Sequence, residues 1–211
     1  MSSDRPDYQR PELPDFWDHR FRHGVTPWEA GEAPAALRAF AAGYAAHDPE
    51  STGRRPRVLV PGCGSACDAR FLDRLGWNTT ALDFSSAAIE TARATLGDDW
   101  RGSLLCADFF ALDPGKTFDV IYERAFLCAL PRTLWANYAQ QMAALLRPNG
   151  LLAGFFFFND ETRGPPFGIR PEQLEELLAP HFARREDRPV GDSLPVFAGR
   201  ERWQIWQRLR A

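Results

Sequence analysis

The sequence predicts an α/β protein in which a mostly parallel sheet carries helices on both faces. From residue 57 onward, short apolar stretches typical of strands alternate with segments of helical periodicity. Strands that are separated by helices of this length form parallel sheets. Two further strands near the C-terminus, over 183–189 and 202–209, have no helix between them, which predicts an antiparallel hairpin at the end of the chain.

Length and composition limit the class of protein. The 211 residues suffice for one domain with a substantial core and are few for two domains. Hydrophobic residues at 45% and aromatic residues at 13% are typical of a folded globular chain. A net charge of -3 gives no reason to expect nucleic acid or an anionic membrane as a partner. No apolar run reaches the roughly 18 residues that would suggest a membrane span.

The N-terminus and the cysteines favour a cytoplasmic protein. Residues 1–16 are polar and rich in proline, without the apolar stretch of a secretory signal. The cysteines lie in or beside predicted strands, which suits reduced thiols; they are Cys63, Cys67, Cys106 and Cys128. Cys63 and Cys67 could form a metal-binding pair, but no second pair or histidine cluster accompanies them, so we expect no metal. We expect a monomer, with a homodimer as the alternative.

The predicted elements follow one another in a regular order. Residues 1–15 are interpreted as a loose arm and residues 47–56 as a linker. The predicted strands before the C-terminal pair are 57–62, 78–85, 102–110, 118–126 and 150–158. The predicted helices are 33–46, 66–76, 86–96, 132–146 and 170–182.

Capping and breaking residues support several of these boundaries. Ser85 or Ser86 is expected to cap the helix over 86–96, and Gly76 to end the preceding helix. "RPNG" (147–150) places a proline and a glycine where the long helix over 132–146 should stop.

A glycine turn directly follows the first predicted strand, in "LVPGCGSACD" (59–68). In open α/β sheets, ligands bind beyond the carboxyl ends of the strands. A side chain at Gly62 would keep the backbone from approaching a ligand closely. Asp83, 21 residues after Gly62, closes the second strand, and an acid there accepts hydrogen bonds from the hydroxyls of a ribose.

NAD and S-adenosylmethionine both carry that ribose, so these two positions alone do not distinguish them. The dinucleotide fingerprint G-x-G-x-x-G requires glycine at position 67, where this chain has Cys67. Asp108, at the end of the third strand, can accept from the adenine amine, and Phe109 can lie against the ring. A purely structural interpretation, with Asp108 starting a loop and Phe109 in the core, stays open. Three neighbouring strand ends that suit adenosine, without a phosphate site, favour S-adenosylmethionine.

Beyond these positions, the chain resembles the thiopurine S-methyltransferase superfamily, which includes the halide and thiol methyltransferases of plants and fungi. The resemblance spans nearly the whole chain, and "TPW", "VPGCG" and "GPPF" together make it specific. The similar stretches are "FWDHRFRHGVTPWEAG" (16–31), "VLVPGCGSACD" (58–68), "YERAFLCALP" (122–131), "GPPFGI" (164–169) and "GRERWQIW" (199–206).

The resemblance implies an enzyme with a single-domain class I methyltransferase fold, Rossmann-like, and S-adenosylmethionine as methyl donor. Its sheet would be seven-stranded and mostly parallel, with a C-terminal antiparallel hairpin. Residues 1–32 would form an N-terminal arm and a lid over the cofactor, and residues 33–211 the methyltransferase domain. The implied cofactor-binding residues are Trp17, Phe21 and Trp28 in the lid, Gly62 at the methionine moiety, Asp83 at the ribose, Asp108 and Phe109 at the adenine, and Arg124 near cofactor and acceptor.

The expected acceptor is a small molecule with a soft nucleophile. The "GPPF" loop implies Pro165, Pro166 and Phe167 in the acceptor pocket, and Phe126 is a further candidate. Arg124 is similar to thiopurine-type members, whereas "TPWEAG" is more similar to the halide and thiol branch. Halide members often have tyrosine at the position of Phe167, so phenylalanine there favours a thiol or sulfide over a halide ion.

A thiolate needs alignment and exclusion of water more than a base, so no general base is assigned. Arg124 could orient an anionic acceptor or lower the pKa of a thiol, and a structural ion pair with Glu123 is the competing interpretation. His19 or His23 as a base is less favoured than a solvated histidine.

Several alternatives remain open. Within the family these are halide, tellurite and thiopurine acceptors, and beyond it a small-molecule O- or N-methyltransferase. A protein that binds S-adenosylmethionine without catalysis is an alternative of a different class. A nicotinamide oxidoreductase is disfavoured by Cys67.

Overall fold

The computed structural model describes residues 6–44 and 54–210, and these form one seven-stranded sheet between two layers of helices. The strands are β1 (Arg57–Pro61), β2 (Asn78–Asp83), β3 (Ser103–Cys106), β4 (Phe118–Arg124), β5 (Leu146–Phe157), β6 (Phe182–Pro189) and β7 (Glu201–Arg208). The α-helices are α1 (Pro14–Arg22), α2 (Ala35–Ala42), α3 (Cys67–Arg74), α4 (Ser86–Leu96), α5 (Trp135–Leu145) and α6 (Pro171–Leu178). Most of the predicted linker 47–56 lies outside the described residues.

The strand order is β3-β2-β1-β4-β5-β7-β6. Strands β1 to β5 run parallel to one another, and β7 is antiparallel to both β5 and β6. This confirms the predicted mostly parallel sheet with a C-terminal antiparallel hairpin. The order reverses between β1 and β4, which places a crevice at the carboxyl ends of these strands.

Successive side chains of the central strands point to opposite faces of the sheet, so the core consists of two parts, one on each face. In β1, Val58 and Val60 face the layer formed by α2, α3 and α4, whereas Leu59 faces the layer of α5 and α6. Burial on both faces explains why β1 is apolar from Val58 to Pro61. No described helix has the length and apolar composition needed to cross a membrane.

Several predicted boundaries differ from the structure by a few residues, and three of the differences are instructive. The third strand ends at Cys106, four residues early, because the Asp108 carboxylate accepts from Phe110 N at 2.9 Å and turns residues 109–111 into a short 3-10 helix. The predicted break at 147–150 lies inside β5, where Asn149 has a φ of 61° and a register shift relative to β4 accommodates the extra residues. The predicted arm over 1–15 is ordered at its C-terminal end, where α1 begins at Pro14.

Candidate active site

One large cavity, of about 990 Å³, opens at the carboxyl ends of the strands, where the strand order reverses. Most of the residues predicted as site residues line it; they are Trp17, Phe21, Trp28, Gly62, Asp83, Asp108, Phe109, Arg124, Phe126, Pro165 and Pro166. The cavity therefore brings together side chains from both ends of the chain and from four strand ends.

The glycine turn between β1 and α3 forms the floor of the cavity. Gly62 has a φ of 58° and Gly64 a φ of 51°, a backbone conformation that favours glycine. A Cβ atom at Gly62 would lie 2.6 Å from Cδ2 of Phe126, so the close approach of this ring also requires glycine. Cys63 N donates to Leu82 O at 2.9 Å, which holds the turn against the end of β2.

Asp83 is placed at the end of β2, beside the turn. Its carboxylate accepts from Gly64 N at 3.1 Å through Oδ2 and from Ser85 N at 2.9 Å through Oδ1. Burial raises the pKa of this carboxyl to about 6, although the backbone hydrogen bonds from Ser85 and Gly64 favour its ionised form. A carboxylate has about four acceptor positions, so Asp83 can still accept from a ligand.

At the neighbouring strand end, Asp108 is exposed and Phe109 is buried. Both line the cavity, and Phe109 also packs edge-to-face on Phe126 with ring centroids 5.1 Å apart. Asp108 caps a short helix and Phe109 belongs to the core, which agrees with the structural interpretation of this pair. It does not exclude a contact with a ligand, because one oxygen of Asp108 has no hydrogen bond in the described structure.

Residues 11–31, which we call the cover segment, form the opposite wall. Trp28 lies between two other aromatic rings, edge-on to Trp17 at 5.5 Å and to Phe21 at 6.2 Å. The Trp17 indole donates to Pro11 O at 2.8 Å. His19 and His23 stack on each other at 4.2 Å on the exposed side of α1 and do not line the cavity.

Two anchors of the cover segment were not found by the sequence analysis. Asp18 accepts from Ser85 Oγ at 2.6 Å, Ala87 N at 3.0 Å and Ser86 Oγ at 3.0 Å, and so caps α4 from α1. Burial opposes ionisation of Asp18, but these hydrogen bonds outweigh it and lower its pKa. The second anchor joins Glu29 to Ser65, whose backbone N donates to Oε1 at 3.1 Å and whose hydroxyl donates to Oε2.

Arg124 lines the cavity and forms an ion pair with Asp68 of α3. Its Nη1 lies 3.2 Å from Oδ2 of Asp68, and the Tyr122 hydroxyl donates to the same oxygen at 2.9 Å. The interpretation that Glu123 pairs with Arg124 is wrong. Glu123 is 1% exposed, and its Oε1 instead accepts from the backbone N atoms of Phe126 and Leu127 at 2.8 and 3.1 Å. The other oxygen, Oε2, has no partner.

Phe167 is the predicted site residue that the structure places elsewhere. Pro165 and Pro166 line the large cavity, but the Phe167 ring packs in the core and faces a separate small void of about 10 Å³ together with Glu123. Its backbone N donates to Cys128 O at 2.7 Å. Phe167 thus does not line the large cavity in this structure, and its place in the acceptor pocket stays a prediction.

Several residues that line the cavity were not predicted, and three of them lie close together beyond β4. Cys128 follows β4, and Val196 and Phe197 lie in the loop between β6 and β7. Together with Trp28 and the two prolines they form the part of the cavity beyond β4, β5 and β7, which we call the acceptor end. Cys128 lies in the "YERAFLCALP" stretch of the family resemblance, whereas no sequence signal marks the other two. Among the described residues, no group of three or more histidine, cysteine or acidic side chains is arranged to hold a metal ion.

Comparisons with known proteins agree with this geometry. Residues 13–208 match the family described as thiopurine S-methyltransferase (TPMT). The thiopurine S-methyltransferase of Methylococcus capsulatus is 31% identical over 193 residues, covering 80% of this chain and 82% of the relative. Thiocyanate methyltransferase 1 of Brassica oleracea is 27% identical over 201 residues, covering 92% and 84%.

Among solved structures, the 1,6-didemethyltoxoflavin-N1-methyltransferase of Burkholderia thailandensis is similar, with a TM-score of 0.72 at 21% identity. The similarity covers 100% of this chain and 93% of that one. At this level of identity the likeness supports the fold.

Proposed function

Because this chain belongs to the thiopurine S-methyltransferase family, as its match over residues 13–208 establishes, we propose that it methylates a small-molecule thiol or sulfide. Membership of the family makes it a methyltransferase that uses S-adenosylmethionine. The acceptor is the part that we propose, and the composition of the acceptor end carries the proposal.

The acceptor end is apolar and contains no evident base. Its lining is Trp28, Phe126, Cys128, Pro165, Pro166, Val196 and Phe197, with Arg124 at its inner wall. Among the described residues no histidine lines the cavity, and its carboxylates are Asp83 and Asp108 at the other end and Glu12, which is ion-paired with Arg10. An alcohol or amine acceptor usually needs a positioned base, whereas a thiolate is already a strong nucleophile. The lining therefore favours a sulfur acceptor over oxygen or nitrogen.

The residues of the other end fit the adenosyl part of the methyl donor. Gly62 keeps the floor free of a side chain, and Asp83 retains acceptor positions for the two hydroxyls of a ribose. We propose that Asp108 and Phe109 hold the adenine. When bound, S-adenosylmethionine supplies a methyl group on a positively charged sulfonium.

The chain's own contribution is alignment and exclusion of water. Trp28 and Phe126 present aromatic rings from opposite walls of the cavity, and such faces stabilise a cation by roughly 0.5–2 kcal/mol each. Arg124, held by Asp68, is the cation at the acceptor end and can orient a thiolate. The cover segment separates these groups from bulk water.

Incubation of the purified protein with S-adenosylmethionine labelled in the methyl group tests the proposal. The acceptor panel contains alkyl and aryl thiols, hydrogen sulfide, iodide, thiocyanate, tellurite, a thiopurine, and matched alcohols and amines. We expect label in the thioether products, with the alcohols and amines inert. Transfer only to oxygen or nitrogen would reject the proposal of a sulfur acceptor. Transfer only to halide or tellurite would show that the acceptor belongs to another class. Binding of S-adenosylmethionine without any transfer would show that the protein is not catalytic.

A further inference from the structure

The Glu29–Ser65 contact joins the cover segment to the glycine turn across 36 residues of sequence. Both carboxylate oxygens of Glu29 are used, one by the backbone N of Ser65 at 3.1 Å and the other by its hydroxyl. Ser65 lies in the turn that forms the floor of the cavity, and Glu29 directly follows Trp28 in its opposite wall. One acidic side chain therefore fixes the distance between two walls of the cavity.

The backbone turn that contains Glu29 connects this contact to Trp28. Glu29 N donates to Thr26 O at 3.0 Å and closes a tight turn in which Trp28 is the preceding residue. The Trp28 ring then packs edge-on against Trp17 and Phe21. Displacement of Glu29 must move Trp28, because no residue separates them.

The glycine turn has room for this carboxylate only because position 64 has no side chain. A Cβ atom at Gly64 would collide with Oε1 of Glu29, and the nearest atom of another residue would be Cζ of Phe21 at 3.5 Å. The turn and the cover segment are thus complementary in shape at this point.

The contact is also built at an electrostatic cost. Burial raises the pKa of the Glu29 carboxyl, and the nearby charge of Asp68 raises it further, against the hydrogen bonds of Ser65 and the charge of Arg124. A buried carboxylate is costly unless it is hydrogen-bonded. Its two bonds to Ser65 supply that compensation.

We infer that Glu29 is a positioning residue for the methyl donor: it latches the cover segment to the glycine turn, keeps Trp28 in the cavity wall, and thereby controls how fast the bound cofactor leaves. The inference rests on the proposed function in one respect, that this cavity is where the cofactor binds.

A latch has a kinetic signature that differs from that of a direct ligand contact. The cover segment must lift for a ligand to leave and also for one to enter. Loss of the latch should therefore speed dissociation by at least about tenfold, because Glu29→Ala removes two hydrogen bonds to a charged group. Association becomes faster as well, so the dissociation constant should rise by less than about threefold. Loss of a direct contact would instead raise the dissociation rate and the dissociation constant equally.

Stopped-flow measurement with S-adenosylhomocysteine provides the test, read by tryptophan fluorescence, since Trp17 and Trp28 line the cavity. The variants are Glu29→Ala, Glu29→Gln and Ser65→Ala. The glutamine keeps one acceptor for Ser65 N, and Ser65→Ala keeps the backbone donor. The dissociation rates of both variants should therefore lie between those of wild type and Glu29→Ala. The control is Glu32→Ala, because Glu32 belongs to the same stretch of chain but its side chain is 81% exposed. Thermal unfolding confirms that each variant is folded.

The expected result is faster dissociation in the order Glu29→Ala, then the two milder variants, with Glu32→Ala equal to wild type. An unchanged dissociation rate in Glu29→Ala overturns the inference, and so do equal increases in the rate and the dissociation constant. If Glu29→Ala does not fold, the same criteria apply to Glu29→Gln and Ser65→Ala. If the wild-type protein does not bind S-adenosylhomocysteine, the proposed cofactor site is refuted. If the wild-type protein binds it and Glu29→Ala does not change the dissociation rate, only the inference on Glu29 is refuted.

Discussion

The Arg124 guanidinium is held by Asp68, with Nη1 of the arginine 3.2 Å from Oδ2 of the aspartate. The two side chains are only 14% and 12% exposed, and they connect the end of β4 to the first turn of α3. Burial raises the pKa of the Asp68 carboxyl, against the effects of Arg124 and Tyr122. The arginine that lines the cavity is therefore positioned by a residue of the helix that follows the glycine turn.

Replacement of Arg124 by methionine should destabilise the protein strongly, because Asp68 would remain buried without its partner. We expect a loss of about 3 kcal/mol in the free energy of unfolding, measured by urea denaturation. Asp68→Asn added to Arg124→Met should recover part of that loss, since the pair acts as a unit. Tyr122→Phe, which removes only one hydrogen bond to Asp68, should cost about 1 kcal/mol. Strictly additive losses in the double variant would show that the ion pair is not coupled.

Cofactor affinity should depend on the ionisation of Asp83. With a pKa of about 6 in the unliganded protein, the carboxyl is ionised at pH 7.5 and mostly protonated at pH 5. A protonated carboxyl is a weaker acceptor for ribose hydroxyls, so binding of S-adenosylhomocysteine should weaken by up to about tenfold between these pH values. Calorimetric titration at several pH values measures this change. Asp83→Asn should bind S-adenosylhomocysteine more weakly and with an affinity that no longer depends on pH, whereas the affinity of Asp108→Asn should still depend on pH. If the affinity of Asp83→Asn still changes with pH, another group causes the change.

The sequence was sufficient to predict the sheet and the strand-end residues, because both depend on local patterns. Alternation of strands and helices fixes a parallel sheet, and the carboxyl ends of parallel strands meet at one edge. Gly62 and Asp83 follow from that rule and from the spacing between them. The seven-stranded, mostly parallel sheet with its C-terminal antiparallel hairpin is confirmed.

Contacts between distant side chains were beyond such reasoning. Asp18 and Ser85 are 67 residues apart, and Glu29 and Ser65 are 36 residues apart. Their pairing depends on how α1 crosses the sheet edge, which no periodicity encodes. Phe167 illustrates the converse case: a motif predicted it in the acceptor pocket, but its half-buried ring packs against the core outside the large cavity.

Alanine at Gly62 should damage the site more than alanine at a glycine with a similar backbone. The φ of 58° costs an L-residue about 1–2 kcal/mol, and the new Cβ would also press on the Phe126 ring from 2.6 Å. Gly76 has a φ of 84° with nothing within 4 Å of an added Cβ, so Gly76→Ala reports the backbone cost alone. We expect both variants to lose stability in thermal unfolding, and only Gly62→Ala to lose affinity for S-adenosylhomocysteine. Equal affinities would mean that Phe126 moves aside at no cost to binding.

Glu123→Gln should stabilise the protein at alkaline pH and leave it unchanged in acid. Burial raises the pKa of Glu123 to about 7 from an ordinary value of 4.5, so the folded state holds its proton more tightly than the unfolded chain. This group's contribution to stability is thus complete below pH 4.5 and is lost as the pH rises through 7.

Glutamine keeps an oxygen for the backbone N atoms of Phe126 and Leu127 and carries no charge, so it avoids that loss. The difference in unfolding free energy between Glu123→Gln and wild type should grow from near zero at pH 4 to as much as about 3 kcal/mol at pH 8. Urea denaturation across this range measures the difference. Glu90→Gln, on the exposed side of α4, serves as the control and should show no such trend. A pH-independent difference for Glu123→Gln would mean that the buried carboxyl keeps the same protonation state throughout.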